Sequence, residues 1–89
     1  MHKYIIGKYF KQVDEEKNGI YIACHVLGFD GEHYLTEYYC LSLGTAMKDN
    51  NLPLRQDFYK SSGFIEITKK EFELIQYLYK TSGKYEYNN

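Results

Sequence analysis

The sequence contains no tryptophan, a single proline and two cysteines among its 89 residues. Little proline beside eleven tyrosines and five phenylalanines argues for a folded chain, because disordered chains are poor in aromatic residues. Two cysteines are too few for the disulfide framework of a small secreted scaffold, so reduced, buried thiols are expected. Excess charge is also missing: eleven Lys and Arg against twelve Asp and Glu leave a net charge of −1. No strong field therefore selects a highly charged partner.

Long apolar runs are missing as well. The longest, Ile20–Phe29, contains His25 and reaches about half of the ~20 residues that a membrane helix needs. Lys8 interrupts the first apolar residues, so no signal peptide is expected and the chain is predicted to be soluble and cytoplasmic, with no membrane partner. A chain of this length predicts a single small α+β domain covering residues 1–89. The abundant Tyr, Asn, Lys and Ile are typical of short proteins from AT-rich bacterial or phage genomes.

Two dipeptides of the hairpin type divide the N-terminal half into three strands. Asn18-Gly19 and Asp30-Gly31 supply the positive φ values that tight hairpin turns need. They separate predicted strands at 4–13, 20–29 and 32–43, which form an antiparallel meander. The middle strand is apolar at nearly every position and is the best candidate for the centre of the sheet.

A two-residue loop at Asp30-Gly31 pairs Phe29 with Glu32 and predicts the composition of both faces of this hairpin. The more apolar face, expected to meet the core, carries Ile20, Ile22, Cys24, Val26, Leu35, Glu37, Tyr39 and Leu41. The opposite, partly exposed face carries Tyr21, Ala23, His25, Leu27, Tyr34, Thr36, Tyr38 and Cys40. This register places Glu37 opposite Cys24, near an edge or at a bulge. It also separates the two thiols onto opposite faces.

The C-terminal half predicts one clear element. Thr68 and Glu71 match the capping box of a helix start, and Gly83 is a natural stop, so a helix is expected over 69–82. Its apolar stripe comprises Phe72, Leu74, Ile75, Leu78 and Tyr79. Residues 45–48 fit one helical turn, 49–54 a loop, and 57–59 and 64–67 short strands. The predicted fold is α+β: an antiparallel β-meander of three to five strands with the C-terminal amphipathic helix packed on one face.

Catalytic and metal chemistry find little support. The histidines and cysteines lack the spacing of a zinc site, and Cys24 and His25 are neighbours on a strand and point to opposite faces. Cys40 lies four strand residues, ~13 Å, from the position opposite His25, too far for a thiolate–imidazole pair. No cofactor, metal or catalysis is therefore expected. The alternative of a small enzyme requires a pocket around Glu37.

Protein recognition suits the surplus of tyrosine, a residue that is enriched at interfaces. The sequence predicts a small protein-binding module, a regulator or inhibitor of a larger protein or assembly. Its partner is another protein or a second copy in a homodimer. Residues 84–89 are expected to form either a flexible tail or an edge strand added to a partner or a second copy. The predicted site comprises Tyr21, His25, Tyr34, Tyr38, Tyr85 and Tyr87.

Single-stranded nucleic acid is the alternative partner, with bases stacked on the tyrosine face. Phosphate binding requires clustered cations. The best cluster, Lys69, Lys70, Lys80 and Lys84, lies on or just beyond the helix, across the domain from the tyrosines. Nucleic acid is therefore less favoured than protein.

Overall fold

The computed structural model describes residues 5–14, 20–42, 45–61 and 63–81. Five strands precede one helix, with a 3₁₀ turn at Phe58–Lys60 before the last strand. The strands are β1 (Tyr9–Asp14), β2 (Ile20–Phe29), β3 (His33–Ser42), β4 (Thr45–Arg55) and β5 (Phe64–Ile67), and the helix is α1 (Lys69–Thr81). The predicted α+β fold is confirmed.

The five strands form one antiparallel sheet in the order β4-β3-β2-β1-β5. The first four make the predicted meander, and β5 closes the far edge by pairing with β1. Because α1 starts two residues after β5 ends, it turns back over one face of the sheet, where it contacts β1, β2 and β3. The helix therefore covers one face of the sheet, as the sequence predicts.

The β2–β3 hairpin has a longer loop than the Asp30-Gly31 dipeptide predicts. Phe29 pairs with Tyr34 instead of Glu32, which leaves four residues in the loop. The Asp30 carboxylate accepts hydrogen bonds from the backbone N–H groups of Glu32 and His33 at 2.9 and 2.8 Å. This side-chain turn stabilises the wider loop, so the predicted two-residue turn is wrong.

A bulge between Val26 and Gly28 shifts the register again before the strands continue. Beyond it, Cys24 pairs with Tyr38 and His25 pairs with Glu37. The predicted composition of both faces is therefore wrong. A register shift of one residue moves every side chain of β3 to the opposite face relative to the side chains of β2. Glu37 lies opposite His25 and not opposite Cys24.

The same shift changes how the predicted site residues and thiols are distributed. Tyr34 and Tyr38 share a face with Cys24, whereas His25 lies on the other face, under the helix. Cys40 pairs with Ile22, two positions from the Cys24–Tyr38 pair. Both thiols therefore lie on one face, contrary to the predicted separation.

Each face of the sheet supports its own hydrophobic core. The helix-side core comprises Ala23, Tyr39, Ile67, Phe72, Ile75 and Tyr79. The turn-side core, on the opposite face, comprises Ile5, Phe10, Cys24, Val26, Tyr34 and Phe58. The N-terminal turn and the 3₁₀ turn supply Ile5 and Phe58, which cover the face that the sequence predicts to be open.

The chain between β3 and β5 departs furthest from expectation. Residues 45–55 form an edge strand and not a helical turn and a loop. Pro53 fits there because a proline at a sheet edge needs no partner for an amide N–H, and it pairs with Leu35. The short strand predicted at 57–59 is a 3₁₀ turn that buries Phe58. At the N-terminal end, β1 begins at Tyr9, after a turn through Gly7 (φ 91°).

The helix begins as its capping box predicts. The Glu71 N–H donates a hydrogen bond to Thr68 Oγ1 at 3.1 Å, and the structure describes the helix to Thr81. Its buried residues are Phe72, Ile75 and Tyr79. The predicted stop at Gly83 and the predicted tail, with Tyr85 and Tyr87, lie outside the described residues.

Candidate functional site

The predicted tyrosine surface is not assembled as a single exposed face. The Tyr34 side chain is fully buried in the turn-side core, and the Tyr38 side chain is partly buried against the same core. Tyr21 is placed by its backbone, between Val13 on β1 and Leu41 on β3. His25, another residue of the predicted set, lies at the helix-side cleft. The prediction of one shared face for Tyr34, Tyr38 and His25 is wrong because it depended on the two-residue hairpin loop.

A polar cleft lies instead between α1 and the helix-covered face of the sheet. Its cavity of about 270 Å³ is lined by Tyr9, His25, Glu37, Lys69, Phe72, Glu73 and Gln76. Strands β1, β2 and β3 supply the floor, and the first two turns of α1 supply the wall. The cleft therefore exists because α1 crosses the sheet directly above the His25–Glu37 pair.

A chain of polar contacts crosses this cleft. His25 Nδ1 lies 3.7 Å from Glu37 Oε1, and Tyr39 donates its hydroxyl hydrogen to Glu37 Oε2 at 3.0 Å. Gln76 Nε2 donates in turn to the Tyr39 hydroxyl at 2.8 Å. The His25 ring stacks on Tyr9 with ring centroids 4.3 Å apart and planes 13° from parallel. Both partners of Glu37 are thus held in place by packing.

Tyr39 is the best-buried residue of this chain of contacts. Burial raises the pKa of Tyr39 to about 12; the hydrogen bond from Gln76 opposes the rise and the Glu37 carboxylate adds to it. Tyr39 is therefore a neutral hydrogen-bond donor at pH 7, when it holds Glu37 in position. His25 and Glu37 each leave a quarter of the side chain exposed, so a small polar ligand can reach them from the cleft.

The outer face of α1 carries a second feature. Leu74, Tyr77 and Leu78 are 57%, 62% and 44% exposed. Their spacing puts them on one side of the helix, opposite the stripe of buried residues. We call these three residues the helix stripe. The other exposed large apolar side chains among the described residues lie on strands or in the N-terminal turn: Ile6, Val13, Leu27 and Ile65.

The helix stripe corrects the predicted packing of Leu74 and Leu78. Their helical spacing predicts that both lie in the buried face, yet a helix lying on one sheet buries a single stripe, here Phe72, Ile75 and Tyr79. The sequence does carry the signal, since Leu74, Tyr77 and Leu78 repeat the i, i+3, i+4 spacing on the other side. The three residues of the helix stripe therefore remain exposed on the side of α1 that faces away from the sheet.

Neither thiol is activated for nucleophilic chemistry. Cys24 is fully buried, and burial raises the pKa of its thiol to about 12. Burial also raises the pKa of the half-buried Cys40. Both cysteines are free, and each is largely protonated at neutral pH, whereas the reactive form of cysteine is the thiolate.

Over the described residues, no three His, Cys, Asp or Glu side chains meet in an arrangement that could hold a metal ion. The described helix is too short and too polar to cross a bilayer. Comparison with protein-family models, with curated proteins and with solved structures finds no match to this chain. Its own surfaces therefore supply the basis for a functional proposal.

Proposed function

We propose that the protein is a small protein-binding module, a regulator or inhibitor of a larger assembly, that docks through the helix stripe. The observation that carries this proposal is the exposure of Leu74, Tyr77 and Leu78 on one face of α1. Three large apolar side chains side by side in water are typical of interaction sites, whereas single exposed ones are ordinary. Protein recognition remains the proposed function, but the surface proposed to bind the partner is on the helix and not on the sheet.

The stripe is also mounted on a rigid support. Phe72, Ile75 and Tyr79 fix the opposite side of α1 in the helix-side core, so the stripe loses little backbone entropy on docking. Tyrosine is enriched among residues that dominate binding energy, because it combines a large ring with a hydroxyl. Helical i, i+3, i+4 anchors are the arrangement that proteins use to dock into apolar grooves.

The nucleic-acid alternative was based on an exposed face of tyrosine rings, and this basis is lost. Base stacking needs exposed rings, and Tyr34 and Tyr38 pack in or against the turn-side core. The chain is also near neutral overall, which disfavours binding that relies on phosphate contacts.

Capture of partners by matched variants tests the proposal. Leu74→Ser and Tyr77→Ser shorten the stripe, whereas Leu27→Ser removes a leucine of similar exposure (49%) from a strand far from it in sequence. We expect wild type and Leu27→Ser to capture the same proteins from host cells by cross-linking, and the two stripe variants to lose them. A tagged second copy of the chain belongs in the same assay. Equal capture by all four proteins, each verified as folded by circular dichroism, contradicts the proposal.

The polar cleft supports a second candidate function, the binding of a small polar ligand by His25 and Glu37. These two side chains and Gln76 offer both donors and acceptors beside an aromatic floor. A fragment library followed by NMR tests this candidate, with Glu37→Gln as the matched variant. Fragments that shift the His25 ring signals in wild type and not in Glu37→Gln support it. A library that leaves those signals unchanged contradicts it.

A further inference from the structure

We propose that the partner of the helix stripe is a second copy of this chain, with the two α1 helices packed antiparallel across a two-fold axis. The inference rests on the proposed function, because it names an occupant for the same surface. It is carried by the spacing of the outward-facing residues and by two opposite charges beside them.

The outward face of α1 has the spacing of a helix–helix seam. Lys70, Leu74, Tyr77 and Thr81 follow one another in steps of four, three and four residues, the alternation by which paired helices interdigitate. In an antiparallel pair this places Leu74 against Tyr77 of the second copy, and Tyr77 against Leu74. The polar ends meet as well, Lys70 against Thr81. A two-fold axis makes each contact occur twice.

The charges beside the seam favour the antiparallel direction. Glu73 and Lys80 lie seven residues apart on one flank of the stripe. Antiparallel helices related by a two-fold axis bring the same flanks together, so Glu73 of each copy meets Lys80 of the other. A parallel pair instead sets Glu73 beside Leu78 of the second copy and forms no such pair. Antiparallel packing thus gives Glu73 and Lys80 each a partner of opposite charge.

Both charges are available for this contact. Within the described part of the chain, neither Glu73 nor Lys80 takes part in an ion pair. The acidic residue on the other flank, Glu71, is already paired with Lys11 of its own chain. Its charge is therefore compensated where it faces Leu78 of the second copy.

The contact between the two helices is short, so the dimer is expected to be weak. A helix of 13 residues is about 20 Å long, and three half-exposed side chains per copy bury far less than the ~800 Å² per partner of a standard interface. We therefore expect a weak, transient dimer that forms only at high protein concentration. The protein exchanges between monomer and dimer, and a tighter partner of the same stripe can displace the second copy.

Charge exchange between the two flanks tests the pairing. Glu73→Lys sets lysine against Lys80 of the second copy, and Lys80→Glu sets glutamate against Glu73. Because the two-fold axis makes the charge pair occur twice, either substitution is expected to weaken the dimer about tenfold. An equimolar mixture of the two variants restores complementary charges, as does the double variant E73K/K80E, so both return to wild-type affinity. Tyr77→Ser abolishes dimerisation.

Sedimentation equilibrium from roughly 10 µM to 1 mM, a range that reaches the high concentrations a weak dimer needs, measures all five proteins and the mixture. Recovery in the mixture supports the antiparallel pair, because restored affinity needs two chains of opposite charge pattern. A wild type that stays monomeric at 1 mM overturns the inference; stripe-dependent capture of a different protein then leaves the proposed function standing. A dimer that survives Tyr77→Ser, or charge variants that dimerise like wild type, also overturns it. Circular dichroism confirms that each variant is folded.

Discussion

Removal of the Tyr39 hydroxyl is expected to lower stability at neutral pH and to have a progressively smaller effect as the solution becomes alkaline. Tyr39→Phe keeps the ring in the helix-side core but deletes the hydrogen bonds to Glu37 and from Gln76. At pH 7 the loss of these two partly buried bonds should lower the free energy of unfolding by about 1–2 kcal/mol.

The same hydroxyl destabilises the wild type in alkali. Burial holds the pKa of Tyr39 at about 12 in the folded protein, against about 10 in an unfolded chain. The neutral hydroxyl therefore contributes its full stabilisation below pH 10, and this is lost as pH rises through 12, because the unfolded chain releases the proton first. A shift of two units corresponds to about 2–3 kcal/mol. Phenylalanine has no proton to lose, so the gap between the two proteins should close by about 1 kcal/mol at pH 11 and vanish or reverse near pH 12.

Urea unfolding followed by circular dichroism at pH 7, 9, 10, 11 and 11.5 measures this convergence. Thr68→Ala is the matched control, because it removes the helix cap at a cost of about 1 kcal/mol and no titrating group. Its difference from wild type should stay constant over the whole range. If the difference in free energy of unfolding between Tyr39→Phe and wild type is equally constant, the pKa of Tyr39 is not raised by burial and by the Glu37 carboxylate, and the reasoning is refuted.

Three further predictions concern the core, the turns and the thiols. Phe72→Ala should lower the free energy of unfolding by about 3–5 kcal/mol, measured by urea titration, and a loss below about 1 kcal/mol would contradict its role as the anchor of α1. Gly63→Ala should destabilise the protein more than Gly31→Ala does. Both glycines have positive φ, but a Cβ at Gly63 would lie 2.9 Å from a backbone oxygen, whereas a Cβ at Gly31 would meet no atom within 4 Å. Equal melting temperatures of the two variants would refute this. A thiol reagent at pH 8 should modify Cys40 in the native protein and Cys24 only after unfolding, as counted by mass spectrometry, and early modification of Cys24 would show that its strand is open.

Local signals in the sequence were sufficient for the central strands and the helix. The apolar run from 20 to 29 matches β2, and the capping box of Thr68 and Glu71 sets the start of α1. In each case the residues that define the element are neighbours in the chain. Elements of this kind depend little on what packs against them.

The features that sequence patterns missed depend on distant partners. The segment that forms β4 contains Asp49, Asn50, Asn51 and Pro53, which disfavour a strand locally, yet pairing with β3 overrides that preference. The register of the β2–β3 hairpin depends on the hydrogen bonds of one carboxylate, Asp30, and on a bulge. Periodicity likewise identifies the apolar residues of α1 without telling which side meets the sheet, so the helix stripe emerges only when the packing of α1 is known.

The division of the interior into two cores has a consequence for local unfolding. Strands β2 and β3 contribute to both, through Ala23 and Tyr39 on one face and Cys24 and Tyr34 on the other, whereas α1 contributes to the helix-side core alone. Detachment of α1 would therefore leave the turn-side core intact and the sheet still paired. Amide hydrogens of α1 should then exchange with solvent through a smaller opening than those of β2 and β3, whose release requires the whole domain to unfold.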